Sequence, residues 1–96
     1  MVAVRGVNVY PAAIEAAVRR IPEVGEFRAT VARHGAMRAL SVDIELVDLA
    51  AESKGVAARV ALELRETLGL TVPVHVVTVG TLPRSEMKSK RFVVED

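Results

Sequence analysis

A chain of 96 residues has room for one hydrophobic core, burying roughly two thirds of its unfolded surface. With 13 basic and 12 acidic side chains the net charge is +1, which supplies no global field to draw in nucleic acid or an anionic membrane. No cysteine is present, so disulfides, thiolate catalysis and zinc-thiolate sites are excluded. Any chemistry falls to Lys, Arg, Asp, Glu, Ser or His.

Half of the residues are apolar, yet only Tyr10, Phe27 and Phe92 are aromatic. The core must therefore be built from Val, Leu, Ile and Ala, a composition suited to thin packed layers rather than a deep ligand cavity. No run approaches the roughly 20 apolar residues of a membrane span, and the N-terminus lacks the charged, apolar and small-residue order of a signal peptide. A cytoplasmic location, without membrane or nucleic-acid partners, is the expectation.

The opening Val2-Ala3-Val4-Arg5-Gly6-Val7-Asn8-Val9, broken by Gly6, reads as an extended ribbon with a tight turn or bulge in its middle. Pro11 suits a first helical residue, and Ile14, Val18 and Ile21 recur at helical spacing until Pro22, predicting a helix from about Pro11 to Arg20. From Phe27 the period falls to two. Phe27, Ala29 and Val31, then Leu40, Val42, Ile44 and Leu46, alternate with polar residues around the turn signal His34-Gly35. That pattern predicts an antiparallel hairpin with one wet face.

Val56, Val60, Leu64 and Leu68 then lie four apart on one helical face, with Gly69 as a C-terminal cap. A short β-branched run, Val72 to Val79, follows. The fold class is α+β, a single domain over 1–96: a two-layer sandwich of a small antiparallel sheet with two helices on one face, preceded by the ribbon. If the ribbon joined the sheet, the order would become ferredoxin-like.

Beyond Gly80 the character changes, with Arg84, Lys88, Lys90 and Arg91 clustered after Pro83. Composition alone describes a solvated terminal face. Its wording says more: Leu82-Pro83-Arg84-Ser85-Glu86-Met87-Lys88 resembles the last signature of adenylate-forming enzymes, in the form used by phenylacetate-CoA ligases. Arg5-Gly6-Val7-Asn8-Val9-Tyr10-Pro11, with Ile14-Glu15 after it, resembles the signature that opens the C-terminal domain of the same family. The two signatures occur in that family's order and bracket the chain.

The resemblance implies a lid that swings between two poses against a large ATP-binding domain, present in trans or in a longer protein. In the adenylation pose Lys88 would be the catalytic residue, neutralising charge on the reacting carboxylate and phosphate oxygens. Arg84, in the same signature, would contact the nucleotide. In the thioester-forming pose the ribbon Arg5, Gly6, Val7 and Asn8 would lie along the pantetheine arm of coenzyme A, glycine allowing close backbone approach. Many adenylate-forming enzymes place a glycine directly before the lysine; Met87 stands there in this chain. Lys90 and Arg91 read as surface cations.

No phosphate loop, adenine pocket or acyl pocket is recognisable in the sequence, so the chain is not expected to activate an acid alone or to bind a cofactor alone. ATP with magnesium and coenzyme A are implied for the complete enzyme. His34 and His75 have no third ligand spaced to suggest a metal, and Asp43 and Glu45 read as solvated strand polarity. A second reading is a ferredoxin-like regulatory module that forms a homodimer through sheet edges and senses a small acid or acyl-CoA.

Overall fold

Two consecutive residues that accept positive φ start the fold. A computed structural model describes residues 1–47, 52–82 and 91–95. In it β1 (Val2–Val4) and β2 (Val7–Val9) pair antiparallel, Val2 opposite Val9 and Val4 opposite Val7. The turn between them holds Arg5 at φ 49° and Gly6 at φ 82°, the backbone that matches the twist of a tight hairpin. Strand alternation buries Val4 and Val9 and leaves Ala3 and Asn8 exposed, so the ribbon is fastened to the core by one face.

Helix α1 (Pro11–Arg19) starts on a proline, whose missing N–H is not needed there, and buries Ile14, Ala17 and Val18. Strands β3 (Val24–His34) and β4 (Met37–Leu46) form the hairpin expected from the alternation, turning at Gly35 with φ 64°. Phe27, Ala29 and Val31 sit opposite Ile44, Val42 and Leu40, and all are buried. β3 begins at Val24, earlier than its alternation suggests, because the register shifts between Val24 and Phe27. Such a bulge hides the two-residue period. Gly25 lies within it, where an added Cβ would come within 3.1 Å of Val47 Cγ1.

Helix α2 (Ser53–Leu68) buries Val56, Val60 and Leu64 and ends at Gly69, whose φ of 75° lets its N–H donate to the Arg65 carbonyl at 2.8 Å. Two clamps lie along the helices. Arg20 Nη1 reaches both Glu63 Oε2 and Thr67 Oγ1 at 3.1 Å, tying the end of α1 to α2. Arg59 makes a two-pronged contact with Glu23, its Nη1 on Oε2 and its Nη2 on Oε1 at 3.2 Å, tying α2 to the turn before β3. That contact, with a backbone hydrogen bond, lowers the Glu23 pKa below the ordinary carboxylate range and raises that of Arg59.

The α+β class and the separate ribbon agree with the sequence reading, but the sheet is mixed rather than wholly antiparallel. Its order is β5-β4-β3-β6, with β5 (Val74–Val76) parallel to β4 and β6 (Phe92–Glu95) parallel to β3. The reason is topological. A strand–helix–strand crossover returns the chain in its original direction, so β5, lying directly beside β4, must run parallel to it. The opening strands pair with each other instead of entering the sheet. β5 is shorter than the β-branched run suggests; pairing continues past its ends through Val42 N–H to the Pro73 carbonyl at 3.0 Å and Val77 N–H to the Ile44 carbonyl at 2.9 Å.

One continuous core joins Val4 and Val9 of the ribbon, the inner faces of α1 and α2, and the helix-side residues of β3 and β4. On the opposite sheet face Arg28 and Asp43 are cross-strand partners with an ion pair at 3.7 Å. Among the described residues no helix is long and apolar enough to cross a membrane.

Candidate functional site

The residues singled out from sequence fall near the two ends of the chain. At the first, Arg5 and Gly6 form the exposed tip of the ribbon, Asn8 is exposed on β2 and Val7 is half-buried. Nothing lies within 4 Å of the position a Gly6 Cβ would take. The glycine is thus required by its positive φ, and the space above the turn is open for a ligand to approach the backbone.

At the second end, Arg84 and Lys88, together with Ser85 and Lys90, lie outside the described residues. Their flanks are described. Leu82 is 3% exposed, and its N–H donates to Glu45 Oε2 at 2.7 Å. Glu45 is itself 1% exposed. This buried hydrogen bond holds the residue that opens the Pro83-Arg84-Ser85 motif. The reading of Glu45 as solvated polarity is therefore corrected. Asp43 is half-buried and ion-paired with Arg28, and the chain leaving β5 turns at Gly80, φ 94°, with Thr81 N–H donating to the Thr78 carbonyl at 3.0 Å. That turn carries Leu82 to the outer face of β4.

On the far side of the segment Arg91 is also not the surface cation expected. Its side chain is 21% exposed, with Nη1 3.8 Å from Glu15 Oε1 and Nη2 3.5 Å from Glu26 Oε2. Its guanidinium lies 5.6 Å from the centre of the buried Phe27 ring, which Arg19 approaches at 5.3 Å. Stacked on an aromatic face and paired with carboxylates, Arg91 is a fastening. β6 follows at once and pairs with β3, so residues 83–90 are flanked on both sides by contacts to the sheet.

Strand alternation indicates which face Glu45 occupies, but not that another segment covers it. Nothing in sequence distinguishes Arg91 from Lys90 except the Phe92-Val93-Val94 run after it, itself too short to be recognised as a strand. His34 is exposed at the end of β3 and His75 on the edge strand β5. Among the described residues no three His, Asp or Glu side chains are placed to hold a metal.

This hairpin-led α+β fold is shared with acyl-CoA ligases. A 2-hydroxyisobutyryl-CoA ligase in complex with 2-HIB-AMP and CoA, in the thioesterification state, superposes with a TM-score of 0.85 at 26% identity, covering 99% of this chain and 21% of the other. A domain of phenylacetate-coenzyme A ligase from Bacteroides vulgatus superposes at 0.82, with 23% identity and coverage of 98% and 91%. Residues 6–95 match the model of the AMP-binding enzyme C-terminal domain, and the chain belongs to that family. Phenylacetate-coenzyme A ligases of Thermus thermophilus and Pseudomonas putida are 29% and 31% identical over 99% and 93% of this chain. The chain spans only 25% and 22% of their lengths.

Proposed function

We propose that this chain is the lid of a phenylacetate-CoA ligase-like acid-CoA ligase, serving a large ATP-binding domain in trans or within a longer protein. The observation that carries the reading is the family match over residues 6–95, which takes in Gly6, Val7 and Asn8 at one end and Arg84 and Lys88 at the other. The two ends serve different steps. In adenylation, the Lys88 ammonium enters the partner's site and stabilises negative charge as the carboxylate attacks the α-phosphorus of ATP and pyrophosphate leaves. Lysine suits this role as a compact charge on a long stem, while Arg84 contacts the nucleotide.

After rotation, the ribbon Arg5-Gly6-Val7-Asn8 borders the path of the pantetheine arm, whose thiol attacks the acyl-adenylate and releases AMP. The open space at Gly6 favours this use. The acyl group is selected by the large domain.

The decisive experiment joins the chain to a matched large domain and follows the two half-reactions separately. Lys88→Ala is expected to lower acid-dependent pyrophosphate exchange by on the order of 100- to 1,000-fold. Thioester formation from preformed acyl-adenylate should persist. If the assembly forms no CoA ester, or Lys88→Ala exchanges pyrophosphate at the unmodified rate, the reading fails.

A further inference from the structure

Among the described residues the sheet, ordered β5-β4-β3-β6, ends on two strands that each leave one edge open. An open edge offers unpaired backbone N–H and C=O groups to any strand that reaches it, and proteins blunt such edges with shortness, proline or lysine. β5 is blunted: it has three residues and directly follows Pro73, with His75 exposed at its centre. β6 carries neither proline nor lysine, and its apolar run Phe92-Val93-Val94 ends on Val94 at 41% exposure.

Beside this second edge the sheet is incompletely covered. An apolar hollow of about 510 Å³ opens between α1 and β6, with Ile14, Phe27, Ala29 and Phe92 among its walls. An edge strand next to a hollow is an arrangement by which sheets take up an added strand: backbone hydrogen bonds supply affinity, and the hollow receives alternate side chains.

The residues of the edge fit a second copy of the same edge. β6 is preceded by Lys90-Arg91 and closes on Glu95-Asp96, so antiparallel self-pairing sets the basic start of each copy against the acidic end of the other. A two-fold axis perpendicular to the sheet keeps the helices of both copies on one side, so only residues of like face stand opposite each other. Pairing with β3 fixes those faces: Phe92 and Val94 lie beside Ala29 and Val31 on the helix side, Val93 and Glu95 beside Thr30 and Ala32 on the other. Centred on Val93, the register sets Val93 against itself, Phe92 against Val94 at the hollow, and Arg91 near Glu95 of the other copy. Centred on Val94 it would oppose Val93 to Glu95, and centred on Phe92 it would oppose Val93 to Arg91, each an apolar side chain against a charged one.

We propose that the chain forms a two-fold dimer by antiparallel pairing of β6 with β6 of a second copy, in the register centred on Val93. A four-residue edge makes an interface below the standard size, so the dimer is weak and concentration-dependent. Arg91 keeps its contacts to Glu15 and Glu26, and the dimer does not depend on the lid reading.

Sedimentation equilibrium of the chain should show its mass rising with concentration from 10.3 kDa toward twice that value. Val93→Lys opposes two like charges at the axis and should raise the dissociation constant about 10-fold or more. Val79→Lys, at an exposed residue beyond the other edge strand, should leave it unchanged. A second pair of variants decides the matter even if Val93→Lys unfolds the chain, which has no cysteine of its own. At the axis the paired Cα atoms stand about 4.5–5.5 Å apart, within reach of a disulfide, so Val93→Cys should oxidise to a covalent dimer. Val94→Cys, about 7–8 Å from its own counterpart, should do so far more slowly. A chain that stays monomeric up to about 1 mM, a dimer that a folded Val93→Lys leaves intact, or equal cross-linking at the two positions overturns the proposal. If the chain is monomeric and its β6 amides gain protection from hydrogen exchange only beside a large domain, that domain occupies the edge and the dimer is refuted.

Discussion

The ribbon and the residues that flank the Lys88 segment are held by different means. The ribbon is a local object: eight consecutive residues, Val2 to Val9, supply both strands and the turn, and Val4 and Val9 fasten it to the core. The segment bearing Lys88 is flanked instead by long-range contacts, Leu82 to Glu45 on β4 on one side and Arg91 to Glu15 and Glu26 on the other. A geometry stored locally is disturbed by changes at the site itself. One stored in distant contacts is open to substitutions nearly forty residues away in sequence, as Glu45 and Leu82 illustrate. The two half-reactions assigned to these ends should therefore respond to different sets of mutations.

The largest effect that would sharpen this contrast is expected at Glu45. Glu45→Leu leaves the buried Leu82 N–H without its acceptor, a loss of about 1–3 kcal/mol, and lets the start of the Lys88 segment shift. A misplacement of about 1 Å is enough to lower a positioned reaction on the order of 100-fold. Pyrophosphate exchange should fall by roughly 10- to 100-fold, with thioester formation from preformed acyl-adenylate much less affected. Glu45→Gln, which retains an acceptor oxygen, should recover much of the loss. Equal losses in both half-reactions would mean that Glu45 supports the whole domain rather than one end of it.

This difference in mounting also explains what the sequence made legible. The hairpin turns at Gly6 and Gly35 and the Val56, Val60, Leu64 face of α2 are written in neighbouring residues, and each appears where its local pattern places it. The direction of β5 is not local. It follows from the α2 crossover and from the ribbon's pairing with itself, so an alternation count could not reveal a mixed sheet. β6 is not marked in the sequence because Phe92-Val93-Val94 follows a cationic run and gains its partner only from β3. Glu45 and Arg91 depart from their sequence pattern for the same reason: side-chain type and period indicate a face, while burial depends on which distant segment arrives there. The functional signatures were legible through their wording alone, and the described residues place the ribbon but not Arg84 or Lys88.

A smaller effect is expected at the ribbon. Gly6→Val forces a β-branched residue to φ 82°, with a cost of about 1–2 kcal/mol. For a domain of this size the melting temperature should drop by roughly 4–8 °C per kcal/mol. Thioester formation should slow while pyrophosphate exchange is retained, the mirror image of Glu45→Leu. If both steps slow together, the ribbon is part of the shared scaffold, and the contrast between the ends disappears.

The smallest effect belongs to the scaffold between them and serves to calibrate the others. The hydrogen bonds from Arg59 keep the Glu23 carboxylate ionised to lower pH than in the unfolded chain. As pH falls from about 5, the unfolded state takes up this proton first, near the ordinary glutamate value of about 4.3. The pair's contribution is thus present above that value and lost as pH falls through the lower folded pKa. Glu23→Gln should flatten the fall of melting temperature on acidification while shifting it only slightly at pH 7, because both partners are solvent-exposed. Neither half-reaction should change at pH 7. Since the pair joins α2 to the turn before β3 and touches neither end, a selective loss of adenylation in Glu23→Gln would mean that the helices transmit strain to the Lys88 segment, and the anchors at Leu82 and Arg91 would then be only part of what positions it.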